Sequence, residues 1–323
     1  MVKSEPRRLI KFGNSSYIVS LPREWIDKNG LKKGDLVFLQ EGESNEIVLF
    51  PKEKKAVPEG DKKIEIDITN RQMDDIKREI TSAYINNFNM MSIKGKDLKQ
   101  KTNNIKEIIQ PLTGLEILEQ SQKEIIIKDF LDVETISPKK MIRRIDNTIR
   151  SMFEDLKTGL KDAKMKSNIV DEIVSEDQGI NKLYFLVMKI TKIGMNSKEL
   201  MKSFGMNYNE LSSAEWLAMN LEYIGDDLKR IARFLAKVRL NSRQKAYFEN
   251  ACNLIEKSFI DSMTAYHQTQ PILAREVLGR KQTVLKEIDK LCESGSNVLI
   301  GNIAERLKMV YSSTYNLAKL IIY

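Results

Sequence analysis

From Ser137 onward the apolar residues recur at spacings of three and four, which is the period of an amphipathic α-helix. This spacing continues through six stretches, at residues 138–163, 168–194, 210–239, 243–268, 271–292 and 297–322. Glycine or proline marks the breaks, at Gly194, Gly205, Pro271 and Gly295. Because short links between long helices favour antiparallel neighbours, the pattern predicts a six-helix bundle built as two sets of three helices.

Two shorter segments precede this helical region. Residues 1–55 contain four strand candidates and one helix candidate, "PREWIDKNG", in which Pro22 suits the first turn and Gly30 the end. The polar stretch "PKEKKAVPEGDKK" predicts a linker. Residues 62–134 alternate between strand and helix patterns and predict a small α+β module. The predicted fold is therefore mixed and predominantly α, with domains at 1–55, 62–134 and 137–323.

Composition restricts the chemistry. A formal charge of +8 and a pI of about 9.1 favour a polyanionic partner, although a lysine-rich protein without such a partner has the same balance. His267 is the only histidine, and the two cysteines are too few for a disulfide scaffold or a four-cysteine zinc site. The sequence contains no P-loop and no nucleophile motif, so we expect a protein that is not an enzyme. A metal-dependent hydrolase is the weakest alternative.

The start of the chain has no apolar signal segment, and no run of about 18 apolar residues follows it. We therefore expect a cytoplasmic protein without membrane insertion. Basic residues are concentrated in the first 33 positions, at Arg7, Arg8, Lys11, Arg23, Lys28, Lys32 and Lys33. A segment of about 50 residues with four strands buries little surface by itself, so it needs a partner.

The stretch "KFGNSSYIVSLPREWIDKNGLKKGDLVFLQEGESNEIVLFPK" resembles the AbrB-like swapped-hairpin domain. The match is carried by Pro22, Gly30, Leu31, Gly34 and Asp35. The resemblance implies a homodimer in which two chains interlace their hairpins into one barrel, with basic residues of the first strands and loops on DNA. On this basis the candidate DNA-binding residues are Arg7, Arg8, Lys11 and Arg23. Members of this family also act as dimerisation or antitoxin modules, which leaves a second role open.

A strip of carboxylates lies in the helical region, in "LEYIGDD". Glu222 and Asp226 are four residues apart and therefore share one helix face, and Gly225 lies between them at a cost of about 1 kcal/mol relative to alanine. Carboxylates one turn apart can share a hard or borderline cation. The alternative is a solvated acidic strip paired at helical spacing with Lys229, Arg230 or Arg233.

The same stretch resembles the "LERIGDxxxxIA" motif of the PhoU family, which regulates phosphate uptake. "VSEDQGINKLY" resembles the acidic segment of that family's second helix and places Asp177 beside the strip. The resemblance implies a fold of two three-helix repeats and a divalent or iron ion held by Glu222, Asp226 and Asp177. In the second repeat Lys308 and Ser312 replace the first two positions, and Lys281 replaces the third, so we expect no second metal site.

Together the two resemblances identify the sequence as similar to archaeal-type PhoU-like phosphate uptake regulators with an N-terminal AbrB-like domain. They imply a DNA-binding transcription regulator of phosphate homeostasis, in which the helical domain senses a signal or docks a partner. The expected partners are DNA, a second copy of the chain, and components of phosphate transport or signalling. The alternative function is a protein-interaction regulator of phosphate transport or signalling that uses its N-terminal domain only for dimerisation.

Overall fold

The computed structural model describes residues 5–41, 46–52, 62–160, 167–295 and 297–322. Contacts divide the chain into two units, with the boundary after Gly60. Most of the predicted linker lies outside the described residues. None of the helices in the described ranges combines the length and hydropathy needed to span a bilayer.

The first unit consists of two hairpins and a short helix between them. Its elements are β1 (Ile10–Phe12), β2 (Ser16–Ile18), α1 (Arg23–Lys28), β3 (Phe38–Glu41) and β4 (Ile47–Phe50). β1 pairs with β2 and β3 pairs with β4, each pair being antiparallel and forming its own two-stranded sheet. The predicted strand–turn–strand–helix–hairpin order is therefore confirmed.

None of the first unit's described side chains is buried. Large apolar side chains on both hairpins face solvent, with Phe12 65%, Leu39 67% and Ile47 60% exposed. Burying one such side chain typically contributes about 1.5–3 kcal/mol. A single copy of this unit therefore has strands without a core to hold them.

The second unit begins with a four-stranded mixed sheet. Its elements are β5 (Lys63–Asp67), α2 (Met73–Ile85), β6 (Met90–Lys94), α3 (Leu98–Ile109), β7 (Leu115–Gln120) and β8 (Glu124–Asp129). The strand order is β5-β6-β8-β7, with β5 parallel to β6 and the other pairs antiparallel. Alternate residues of the strands, such as Ile66, Ile93 and Ile125, join Ile80 and Ile105 of the helices in one core. The α+β module is therefore as the alternating pattern predicts.

The rest of the second unit is helical. The helices are α4 (Pro138–Gly159), α5 (Ser167–Gly194), α6 (Lys198–Phe204), α7 (Tyr208–Leu235), α8 (Ser242–Gln268), α9 (Pro271–Gly279), α10 (Lys281–Cys292) and α11 (Val298–Ile322). One continuous core runs through the bundle, and α7 packs against α4, α5 and α11. This confirms the predicted predominantly α fold with a helical bundle, but two details of the six-helix pattern are wrong.

The first correction is the short helix α6, which lies in a stretch that the pattern assigned to a connection. Ser197 caps it through its side chain, and Gly205 ends it with a positive φ of 60°. The second correction is the stretch 271–292, which is broken into two helices at Arg280. The guanidinium of Arg280 forms an ion pair of 2.5 Å with Asp261 of α8, and Gly279 lowers the local helix propensity.

The two halves of the bundle correspond as the apolar patterns of 221–236 and 307–322 predict. Leu221 and Leu307 are both fully buried, and so are Ile231 and Leu317. Buried positions also differ in polarity, as where the fully buried Leu228 corresponds to the fully buried Thr314. The two halves of the bundle therefore share buried apolar positions, whereas their charged residues differ.

A buried ion pair joins the α+β module to the bundle. The ammonium of Lys189, on α5, forms an ion pair with the carboxylate of Asp129 at the end of β8, and both side chains are almost fully buried. The same ammonium lies 4.3 Å from the ring centroid of Tyr84 on α2. A charge in this position requires its partner, because an isolated buried charge is strongly unfavourable.

Candidate nucleic-acid interface and acidic strip

The four predicted DNA-binding residues are all exposed. Lys11 lies in the middle of β1, opposite Tyr17 of β2, and Arg8 precedes that strand. Arg7 pairs with Glu5 at 2.5 Å, and Arg23 pairs with Asp27 across one turn of α1 at 3.6 Å. Exposed pairs of this kind contribute about 0–1 kcal/mol, so phosphate groups can replace them.

Turn chemistry explains the "NGLKKGD" part of the sequence. Gly30 and Gly34 have positive φ values of 65° and 98°, which other residues adopt only with strain. The Asp35 carboxylate accepts a hydrogen bond of 2.7 Å from the backbone N–H of Lys32, which closes the turn. These residues form the turn that connects α1 to β3, and the turn does not use the basic side chains that are the DNA-binding candidates.

The acidic strip lies where α5 packs against α7. A Cβ at Gly225 would approach Ile180 Cδ1 to 2.8 Å and Asp177 Oδ1 to 3.9 Å. The glycine therefore allows α5 to approach α7 closely. Asp177 is buried at this contact, with its side chain 5% exposed.

An ammonium group lies between the two aspartates. Lys229 Nζ is 2.7 Å from Asp177 Oδ2 on α5 and 2.7 Å from Asp226 Oδ1 on its own helix. Arg230 adds a contact of 2.6 Å to Asp226 Oδ2. Burial lowers the pKa of Lys229, but its hydrogen bonds to the two aspartates outweigh this effect and the net shift is upward. The strip is thus ion-paired through Lys229 and Arg230, but the contact of Lys229 with Asp177 is largely buried and not solvated.

Glu222 is the member of the strip without a comparable cation contact. Burial, followed by the negative charges of Asp226 and Asp177, raises the pKa of Glu222 to about 7. Its carboxyl group therefore changes charge near neutral pH. In an unfolded chain the glutamate carboxyl group has its ordinary pKa of 4.5.

We predict a loss of stability as pH rises from about 4.5 to about 7, because the folded chain holds the Glu222 proton more tightly than the unfolded chain. The full effect is at most about 3.4 kcal/mol, at about 1.36 kcal/mol per pKa unit between 4.5 and 7, and solvent screening of the partly exposed carboxyl group reduces it. Glu222→Gln should remove this part of the pH dependence, measured as the free energy of unfolding by urea at pH 5 and pH 8. Glu215→Gln, on the same helix, is the control. An unaltered pH profile in Glu222→Gln would contradict the prediction.

A metal ion bound to the acidic strip remains a prediction. The side chains that would bind the ion are already partly occupied by other contacts. Asp177 Oδ1 is buried without a hydrogen-bond partner in the structure, which leaves a carboxylate lone pair open to a cation. However, the Lys229 ammonium already lies between Asp177 and Asp226. Within the described residues, no group of three or more His, Cys, Asp or Glu side chains is arranged to hold a metal ion. The residues therefore fit an ion only if Lys229 moves away.

Glu176 and Asp177 are adjacent in the sequence but have different surroundings in the structure. Asp177 contacts α7, whereas burial and the charges of Asp155 and Glu172 raise the pKa of Glu176 on the other side of α5. From the sequence, Lys229 is predicted only as a partner of the strip on its own helix. Its contact with Asp177, 52 positions away, depends on how α5 packs against α7.

The second repeat has lysines at positions where the first repeat has carboxylates, and these lysines make different contacts. Lys308 pairs with Asp289 of α10 at 2.8 Å. The ammonium of Lys281 lies 5.4 Å from the ring centroid of Tyr315, which occupies the position that corresponds to Lys229. The first repeat thus has an Asp–Lys pair where the second has a Lys–Tyr pair.

Comparisons with known proteins give two matches. Residues 10–56 match the family model described as "Antidote-toxin recognition MazE, bacterial antitoxin". The first unit is a MazE/AbrB-like domain. The chain is also similar to the crystal structure of PhoU from Pseudomonas aeruginosa, with a TM-score of 0.49 and 17% sequence identity over 58% of this chain and 94% of that chain. The comparison with curated proteins finds no match.

Proposed function

We propose that the protein is a dimeric DNA-binding transcription regulator of phosphate homeostasis, whose helical bundle senses a signal or docks a partner. The observation that carries this proposal is the first unit, in which the described residues have no buried side chain although its strands are apolar. A second copy supplies the missing core and doubles the number of basic residues that can contact phosphates. The match to the MazE family model supports such a domain.

The phosphate part of the proposal rests on the "LEYIGDD" motif and on its position in the bundle. The motif's glycine lies at the close contact of α5 with α7, and Lys229 bridges the motif's Asp226 to Asp177 of α5. In PhoU-like proteins this region belongs to a regulator of phosphate uptake, and we transfer that role to this chain.

The full chain, purified and mixed with sheared DNA from its source, tests the proposal. We expect a small set of fragments to be enriched, with binding that weakens steeply as salt rises, because Lys and Arg contacts to phosphates release counterions. The fragments should adjoin genes for phosphate transport. Enriched fragments beside unrelated genes would contradict the phosphate role alone. No enrichment at low salt would contradict DNA binding.

The alternative is a regulator that binds a protein through its first unit. The family model is named for recognition of a toxin by its antidote, and the exposed apolar hairpins suit a protein surface as well as a second copy. Light scattering on the full chain measures its oligomeric state. A monomer that also enriches no DNA fragments would favour this alternative over the dimeric DNA-binding regulator.

We also propose that a divalent or iron ion binds the strip in competition with Lys229. Lys229→Met removes the competing charge and should raise the affinity for the ion, whereas the Glu222→Gln, Asp226→Asn double variant should abolish binding. Elemental analysis after purification without chelator and melting curves with added iron, zinc, manganese or magnesium provide the measurements. If neither the wild type nor Lys229→Met binds any of these ions, the strip is an ion-paired contact.

A further inference from the structure

We propose that the second unit binds a small amphipathic dianion, with a phosphate-like head and an apolar body, in a cavity at one end of the helical bundle. The cavity has a volume of about 700 Å³. It lies between the first turns of α4 and α7 and the last turns of α8 and α11. Typical small-molecule sites have volumes of about 300–1,000 Å³, so the space suits a ligand larger than an inorganic ion.

Three cations of α4 line this cavity, and two of them have no ion-pair partner among the described residues. Lys139 contacts Glu210 at 3.7 Å and the carbonyl of Gly205 at 3.3 Å, so its charge is already compensated. Lys140 and Arg143 are exposed and lie three residues apart on one face of α4. Two uncompensated cations match the charge of a dianion.

The chemistry of these two cations favours a head with several oxygens. The guanidinium of an arginine donates two parallel hydrogen bonds to a phosphate or carboxylate, and a lysine adds a compact charge. His267 also lines the cavity, and its Nε2 lies 3.3 Å from the buried Asp146 carboxylate, which Arg150 holds at 2.7 Å. This contact fixes the orientation of the imidazole ring.

Apolar side chains form part of the wall, beside polar ones that include Ser137, Ser213 and the Lys139-paired Glu210. Met206, Tyr266, Leu320 and Ile321 contribute to the lining. Burial raises the pKa of Tyr266 to about 12, so its hydroxyl stays neutral and adds no charge that would oppose an anion. A ligand with a charged head and an apolar body contacts both kinds of surface, whereas inorganic phosphate contacts only one.

Calorimetric titration of the full chain with phenyl phosphate tests the proposal. Inorganic phosphate represents the head alone, phenol the body alone, and benzoate a monoanionic head on the same body. We expect phenyl phosphate to bind and each of the other three probes to bind at least about tenfold more weakly, which corresponds to about 1.4 kcal/mol. No binding of phenyl phosphate at millimolar concentration, or equal binding of phenyl phosphate and any of the other three probes, would overturn the proposal.

Adjacent arginines provide a matched pair of variants. Arg143 lines the cavity, whereas Arg144, also exposed on α4, is absent from the lining residues. Arg143→Glu should weaken phenyl phosphate binding by about 10- to 100-fold, as expected for a lost charged hydrogen bond of about 1.5–3 kcal/mol. Arg144→Glu makes the same charge change on the same helix and should leave affinity within about twofold, because an exposed charge at a distance is screened. Equal losses in both variants, or unchanged affinity in Arg143→Glu, would overturn the site. Circular dichroism of each variant checks that the helices are intact.

Discussion

Replacing Arg7, Arg8 and Lys11 with alanine should flatten the salt dependence of DNA affinity by about 5 in log–log slope. The three side chains are exposed and precede or form β1, so a dimer presents six such charges. Each phosphate contact contributes about 0.9 to the slope on B-DNA, so the loss of six contacts accounts for the value. Fluorescence anisotropy with one enriched fragment between about 50 and 200 mM salt, the range over which such contacts act, measures it.

The control removes the same charge from the second unit. Lys96, Lys99 and Lys106 are exposed lysines of the α+β module, and their replacement by alanine should leave the slope nearly unchanged. If both triple variants flatten the slope equally, net charge and not the first hairpin determines binding. An unchanged slope in the Arg7, Arg8, Lys11 variant would mean that these side chains do not face DNA.

Lys189→Met should lower the free energy of unfolding by about 3–5 kcal/mol, which is typical when one partner of a buried ion pair is removed. The substitution leaves the Asp129 carboxylate buried without its cation, and it removes the contact with the ring of Tyr84. Urea denaturation of the full chain, followed by circular dichroism, measures the change.

Two further variants test whether the buried charge of Asp129 causes the loss of stability in Lys189→Met. Lys94→Met breaks an exposed pair with Glu65 and should cost no more than about 1 kcal/mol. Combining Lys189→Met with Asp129→Asn removes the buried charge while keeping an acceptor for the backbone N–H of Leu131, so it should recover part of the loss. A cost below about 1 kcal/mol for Lys189→Met would show that water or another cation compensates Asp129.

The helical region was predictable because each helix carries its own apolar stripe. The break at Arg280 was not, since Val277 and Val284 continue the stripe across it and both are buried. At the break, Arg280 pairs with Asp261 of α8, a contact that no local pattern contains. Similarly, the short helix α6 depends on capping by Ser197 and Gly205 more than on periodicity.

The acidic strip also depends on a contact between helices that the local sequence pattern does not contain. Its one-turn spacing and its glycine were visible in the sequence, and so was Lys229 as a local partner of Asp226. The buried pair between Lys229 and Asp177 follows only from the packing of α5 on α7, which also determines the shift of the Glu222 pKa. Sequence spacing therefore found the residues of the strip but not the cation that lies between them.

None of the described side chains of the first unit is buried. This feature also determines how promoter occupancy depends on the expression level of the protein. If two copies must meet before the hairpins are stable, promoter occupancy at low expression follows the square of the copy number. Halving the expression would then reduce occupancy about fourfold, by mass action on the dimer. Newly made chains would meanwhile expose apolar strands that proteases and chaperones recognise. Turnover of unpaired copies would sharpen the dependence further, so gene dosage itself would become a regulatory input.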